Sequence, residues 1–167
     1  MLSRPCTYAI RALTYLAMQP PGKLCGSREI SDAEDIPNSF LCKILLGLRR
    51  KRLLRSYKGT GGGYELALPP EKINLLMIVQ AFEEELSFSE CILENRECSE
   101  GGECALHHSW LDLRNRLVRF LETKTLADLV RTRRAKQNRP SRERRGARSR
   151  TEDPISELSI KPSAGAP

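Results

Sequence analysis

Apolar residues recur at helical spacing over residues 4–18, where Tyr8, Ile10, Leu13, Leu16 and Ala17 approximate one face. Pro20-Pro21-Gly22 stops that helix. A short helix follows from Ser27, whose hydroxyl can cap it, to about Glu34; Ile30 and Ala33 point inward, Glu29 and Glu34 outward. Pro37 disfavours helical geometry in the residue before it, so Ile36-Pro37-Asn38 reads as a turn. Asn38 or Ser39 then caps a helix over 39–52, with Phe40, Leu41, Ile44, Leu45 and Leu48 inside and Lys43, Arg49 and Arg50 outside. The period next changes to two: Leu53–Lys58 and Tyr64–Leu68 read as strands, joined by Gly59-Thr60-Gly61-Gly62-Gly63. Two helices around a tight turn, the second one basic, make a helix-turn-helix, and a basic glycine-tipped hairpin directly after it makes a wing.

Pro69 and Pro70 mark the start of a helix at about 71–84, broadly apolar and therefore expected to be buried. The pattern breaks from Leu86 to Glu103 and resumes near Ala105. There Leu106, Trp110, Leu113, Leu117 and Phe120 follow one another at steps of 4, 3, 4 and 3, a coiled-coil-like seam. Leu111, Val118 and Leu121 supply a second flank, so this helix can pack on its own subunit and on a twin at once. Thr125 caps a last short helix, 126–132. The fold class is thus mainly α with a small β-hairpin. Residues 1–84 are expected to form a winged helix-turn-helix domain, 85–108 a cysteine-bearing loop, 105–132 the dimerisation helix and short terminal helix, and 133–167 a disordered basic tail.

Charge sharpens this division. The chain carries a net +7, yet residues 131–150 hold ten Lys/Arg against one Glu, while residues 1–130 hold seventeen of each sign. Within the neutral part, Arg49, Arg50, Lys51, Arg52, Arg55 and Lys58 form one cluster, and eight glutamates between Glu83 and Glu103 surround the cysteines. A polyanion is attracted to the first and repelled by the second. The tail arginines can add non-specific nucleic-acid affinity.

The chemistry-bearing residues lie between the two halves: Cys91, Cys98, Cys104 and His107 fall within seventeen residues. Thiolates and imidazoles suit zinc or iron–sulfur centres, and clustered cysteines in a chain without a secretory or membrane-spanning pattern point to a reducing cytoplasm and to metal or redox chemistry. Neither a nucleophile–base pattern nor a phosphate-cradling Gly-Lys-Ser/Thr loop occurs, so an enzyme is not expected. For DNA, the expected contacts are Ser39 and Lys43 at the start of the recognition helix and Arg49 and Arg50 at its end, with Arg55, Lys58, Thr60, Gly61 and Gly62 on the wing.

Three stretches, with the cysteine triad, carry a family resemblance. They are Tyr8-Ala9-Ile10-Arg11-Ala12-Leu13, Ile36-Pro37 through Leu54, and Gly59-Thr60-Gly61-Gly62-Gly63-Tyr64; Trp110 through Phe120 and Thr125 through Val130 follow. Over residues 2–132 the chain resembles the Rrf-type winged-helix regulators. The resemblance implies a homodimer that binds a palindromic operator, as a repressor, and carries an iron–sulfur cluster responding to iron, redox state or nitric oxide. In the IscR-like branch three cysteines and a histidine separated from the third by two residues hold a 2Fe–2S cluster; here these positions are Cys91, Cys98, Cys104 and His107. The gap between Cys91 and Cys98 is one residue longer than usual in that branch, and Thr7 stands where NsrR-like members place an acidic ligand for a 4Fe–4S cluster. Both cluster types therefore stay open, as do a structural zinc ion, a cluster-free thiol switch, and a role in iron–sulfur assembly.

Overall fold

A computed structural model of the chain describes residues 2–82 and 106–138. The chain divides into a unit spanning Met1–Arg133 and a second unit from Arg134 onward. Helix α1, Arg4–Met18, opens with Pro5 in its first turn, and the Cys6 N–H donates to the Ser3 hydroxyl at 3.3 Å. Its inward residues, Cys6, Ala9, Ala12 and Leu13, are fully buried. Helix α2 spans Ser27–Glu34 and α3 spans Asn38–Arg50.

Neither α2 nor α3 is capped as the sequence suggests. Gly26 precedes α2 and Pro37 precedes α3, each without a side-chain cap, so Ser27 and Asn38 are first helical residues instead. The turn between them is closed from within. Asp35 takes a left-handed conformation at φ 48°, and the Ser31 hydroxyl donates to the Ile36 carbonyl at 2.7 Å. Leu13, Ile30, Leu41, Leu45 and Leu48 meet beneath this turn as one closed core.

The wing is β1, Leu54–Tyr57, paired antiparallel with β2, Gly63–Leu66. It is fastened to the body by a bridge between Cys25 and Tyr64, each N–H donating to the other's carbonyl, at 3.1 and 2.9 Å. Gly63 makes this approach possible, because a Cβ there would stand 2.7 Å from the Cys25 carbonyl oxygen.

The single helix expected over 71–84 is divided. A 3₁₀ turn at Pro70–Lys72 is followed by extended Ile73 and only then by α4, Leu75–Phe82. The cause is distant in sequence: Leu126 N–H donates to the Ile73 carbonyl at 2.9 Å, and Leu75 N–H donates to the Lys124 carbonyl at 2.8 Å. Asn74, freed from the helix, accepts from the Met77 N–H at 2.9 Å and starts α4.

Helix α5, His107–Thr123, ends at that junction, and α6, Leu126–Gln137, begins there. Thr125 and Asp128 form a reciprocal capping box: the Thr125 N–H and hydroxyl donate to Asp128 Oδ2 at 3.0 and 3.1 Å, and the Asp128 N–H donates to the Thr125 hydroxyl at 3.4 Å. So launched, α6 continues past the 126–132 helix that its apolar residues suggest, and residues 133–137, assigned by composition to the tail, are helical. No helix among the described residues is long and apolar enough to cross a membrane.

Candidate nucleic-acid interface and sensor loop

Helix α3 shows solvent one consistent face: Ser39, Cys42, Lys43, Leu46, Arg49 and Arg50 are all exposed, while Leu41, Ile44, Leu45 and Leu48 hold the opposite side in the core. This follows from the 3.6-residue period, which leaves every third or fourth position pointing out. Charge bookkeeping had found the basic members and missed Cys42 and Leu46. Leu46 is 40% exposed on the same face as Lys43, a surface suited to a thymine methyl rather than a phosphate. Its position three residues beyond Lys43 was the available clue.

The wing continues the basic surface. The Arg49 guanidinium donates to the Ser56 hydroxyl at 3.4 Å, which ties the end of α3 to β1. Lys58, Thr60 and Gly61 are exposed around the hairpin tip, with Gly62 half-buried. A Cβ on Gly62 would stand 2.3 Å from the Tyr57 carbonyl oxygen, so the narrow tip excludes any other residue there. Arg55 behaves differently from its neighbours. It lies 3.7 Å from Glu65 and lines an open groove with Pro20, Lys23 and Pro69, on the hairpin face opposite Ser56. The Tyr57 hydroxyl also donates to Glu65, at 2.7 Å, which pushes the tyrosine pKa up.

Of the four candidate ligands, His107 lies within the described residues and Cys91, Cys98 and Cys104 lie outside them. His107 is the first residue of α5, only 3% exposed, with its ring edge-on to that of His108 at 5.3 Å. His108 is exposed. Among the described residues, no three His, Cys, Asp or Glu side chains are placed to hold a metal ion. Cys6 and Cys25 are fully buried in the core, and burial, with the nearby Glu29 carboxylate, pushes the Cys25 thiol pKa up.

The expected seam of α5 separates into two sides. Leu106, Leu113, Leu117 and Phe120 are 46%, 59%, 42% and 51% exposed, while Leu121 is buried in the core and Leu111 and Val118 are half-buried. Trp110 is half-buried between the two sides.

Comparison with known proteins agrees with this geometry. The Rrf2 family, described as an iron-dependent transcriptional regulator, matches residues 2–132. A helix-turn-helix-type transcriptional regulator of Haemophilus influenzae is 37% identical over 129 residues, covering 77% of this chain and 85% of its own length. The transcriptional regulator IscR of Aliivibrio salmonicida is 32% identical, covering 74% of this chain and 73% of its own. Among solved structures, CymR, the global cysteine regulator of B. subtilis, superposes with a TM-score of 0.68 at 23% identity, covering 79% of this chain and 97% of its own.

Proposed function

The chain belongs to the Rrf2 family of transcriptional regulators, and from that premise we propose that it is a dimeric repressor of a palindromic operator, controlled by an iron–sulfur cluster on the 91–107 loop. The observation that carries the control is the position of His107. It is a buried imidazole at the first turn of the helix that bears the exposed apolar stripe, three residues past the last cysteine.

The donor set fits such a group. Cys91, Cys98, Cys104 and His107 supply three thiolates and one neutral imidazole, the soft and intermediate ligands that iron–sulfur centres take. When bound, the cluster supplies sensitivity to iron supply, oxidants and nitric oxide, with 2Fe–2S favoured by the single histidine. The residues do the rest. His107 links the loop to α5, and the hydrogen bonds of residues 73–75 with 124–126 close α4, the loop and α5 into one ring. A change in the loop therefore bears on α4 at one end and on the apolar stripe of α5 at the other. That stripe supports the dimer: Leu106, Leu113, Leu117 and Phe120 are a row of apolar side chains, each more than two-fifths exposed.

At the DNA, Ser39, Lys43 and Leu46 are placed for base edges. Arg49, Arg50, Lys58 and Thr60 to Gly62 are placed for phosphates. Arg55, engaged with Glu65, contributes at the edge of the wing.

The test is to reconstitute the full chain anaerobically, record its visible spectrum, assay iron, sulfide and zinc, and compare operator affinity with and without the cluster. Iron with equimolar sulfide and a changed affinity supports the reading. Zinc without sulfide, or thiols that oxidise without metal, replaces it with a zinc-bound or thiol-switch regulator of the same fold. Equal affinities in both states remove the switch.

A further inference from the structure

Helical spacing puts Glu34 on the outside of α2, yet its side chain is only 4% exposed. Two guanidinium groups cover it. Arg11 Nε of α1 lies 3.5 Å from one carboxylate oxygen, and Arg133 Nη2 of α6 lies 2.6 Å from the other. The Arg133 approach is a contact of charges rather than an aligned hydrogen bond. Burying a carboxylate is costly before any pairing, and an apolar residue of similar volume is often at least as stable in such a place. An ion pair at this point contributes geometry more than stability.

The geometry is specific. At its start, α6 is stitched to the stretch before α4 by the Leu126 N–H to Ile73 carbonyl bond. At Arg133, about 10 Å further along the helix axis, it is fastened to the last residue of α2. Glu34 precedes Asn38, the first residue of α3, by one tight turn that Asp35 and the Ser31–Ile36 hydrogen bond hold. A second route reaches the same place. Arg11 stands 5.7 Å over the Tyr8 ring, and Tyr8 meets Phe40, in the first turn of α3, edge-on at 5.7 Å. Residues 126–133 of α6 are thus a brace between the base of α5 and the end of α2, one tight turn before α3.

We propose that Glu34 is a positioning residue: through Arg133 it locks the recognition helix to the partner-facing arm and so sets the separation between the two half-sites that the dimer accepts. This rests on the dimeric, DNA-binding reading above. It makes Glu34 and Arg133 determinants of operator architecture although neither belongs to the basic surface expected to meet DNA.

The experiment uses the full chain. An operator is selected by the native protein from random duplexes, and affinity is then compared between that duplex and versions with one base pair inserted or removed between the half-sites. Arg133→Gln is expected to lower the preference for the native spacing about threefold to thirtyfold. Its thermal midpoint is expected to fall, because buried Glu34 keeps Arg11 alone of its two guanidinium partners, while its affinity for non-specific duplex stays close to native. Glu34→Gln is expected to lower the spacing preference in the same way, and the double variant no more than either alone. Native spacing preference in Arg133→Gln overturns the proposal, whether or not Glu34→Gln folds. If the native chain selects no duplex with paired half-sites, the dimeric reading fails first and the proposal falls with it.

Discussion

Helices α1 to α3 and helix α5 are both built on leucine at helical spacing, but they dispose of it in opposite ways. Leu13, Leu41, Leu45 and Leu48 are fully buried, whereas Leu113, Leu117 and Phe120 stand 59%, 42% and 51% exposed. The first group closes on itself because α1, α2 and α3 lie within fifty residues and present wide apolar faces to one another. In α5 the apolar residues follow a narrower 3.5-residue seam on one side and a second flank on the other, and Leu121 of the second flank is the one that reaches the core. One region closes on itself within the chain; the other leaves an apolar row exposed, which the proposed dimer would cover. On the proposed reading, the DNA-binding head and the α5 stripe would be separately adjustable, joined by the 73–75 and 124–126 stitching and by α6.

The largest effect is expected from breaking the incomplete half. Leu117→Glu places a charge in the middle of the α5 stripe. It should leave helix content intact while shifting sedimentation to the monomer and weakening operator affinity by a factor on the order of 10² or more, as the second half-site contact is lost. Native sedimentation would show that the stripe faces something else.

Gly63→Val attacks the self-contained region. With a Cβ 2.7 Å from the Cys25 carbonyl oxygen, the wing must lift from the body. A destabilisation of about 1–3 kcal/mol is expected from chemical denaturation, together with loss of DNA binding but with the dimer intact. Dissociation instead would merge the two regions that the comparison separates.

Much of this was legible in the sequence, and the failures share a cause. The three N-terminal helices and the hairpin were readable because their signals are local: the Pro20-Pro21-Gly22 stop, the proline turn at 36–38, the change of period at Leu53. The break at Ile73–Asn74 was not, because the competing hydrogen bonds come from residues 124–126. Nor was the burial of Glu34, whose partner Arg133 is far along the chain. The length of α6 was underestimated because apolar period ends at Val130, while the helix is carried on by its capping box and by charge pairs such as Asp128–Arg131. On the exposed face of α3 and the wing, the basic residues are legible by charge and Leu46 by its spacing from Lys43; the diversion of Arg55 to Glu65 needed the fold.

A smaller effect is expected at the junction. Hydrogen bonds from the Thr125 backbone and hydroxyl hold the Asp128 carboxyl below its usual range. Because its folded pKa is depressed, its contribution is fully present above the ordinary aspartate value near 4 and is lost as pH falls through the lower, folded one. The start of α6 should fray in acid before α1 to α3 do, as read by amide exchange along the chain, and Asp128→Asn should remove that pH dependence.

The smallest is at the wing tip. Lys58→Gln should weaken all duplexes alike and reduce the slope of log affinity against log salt by about one. A change confined to operator preference would make Lys58 a base reader and not a phosphate contact.

The most direct test of a complete head on an incomplete arm is the stoichiometry of the native chain on its selected operator, measured by sedimentation with labelled duplex and by footprinting of the same complex. Two chains per duplex, protecting two symmetric half-sites with far higher affinity than either half-site alone, is the predicted result. One chain per duplex, bound to the full operator no more tightly than to a half-site, would contradict it.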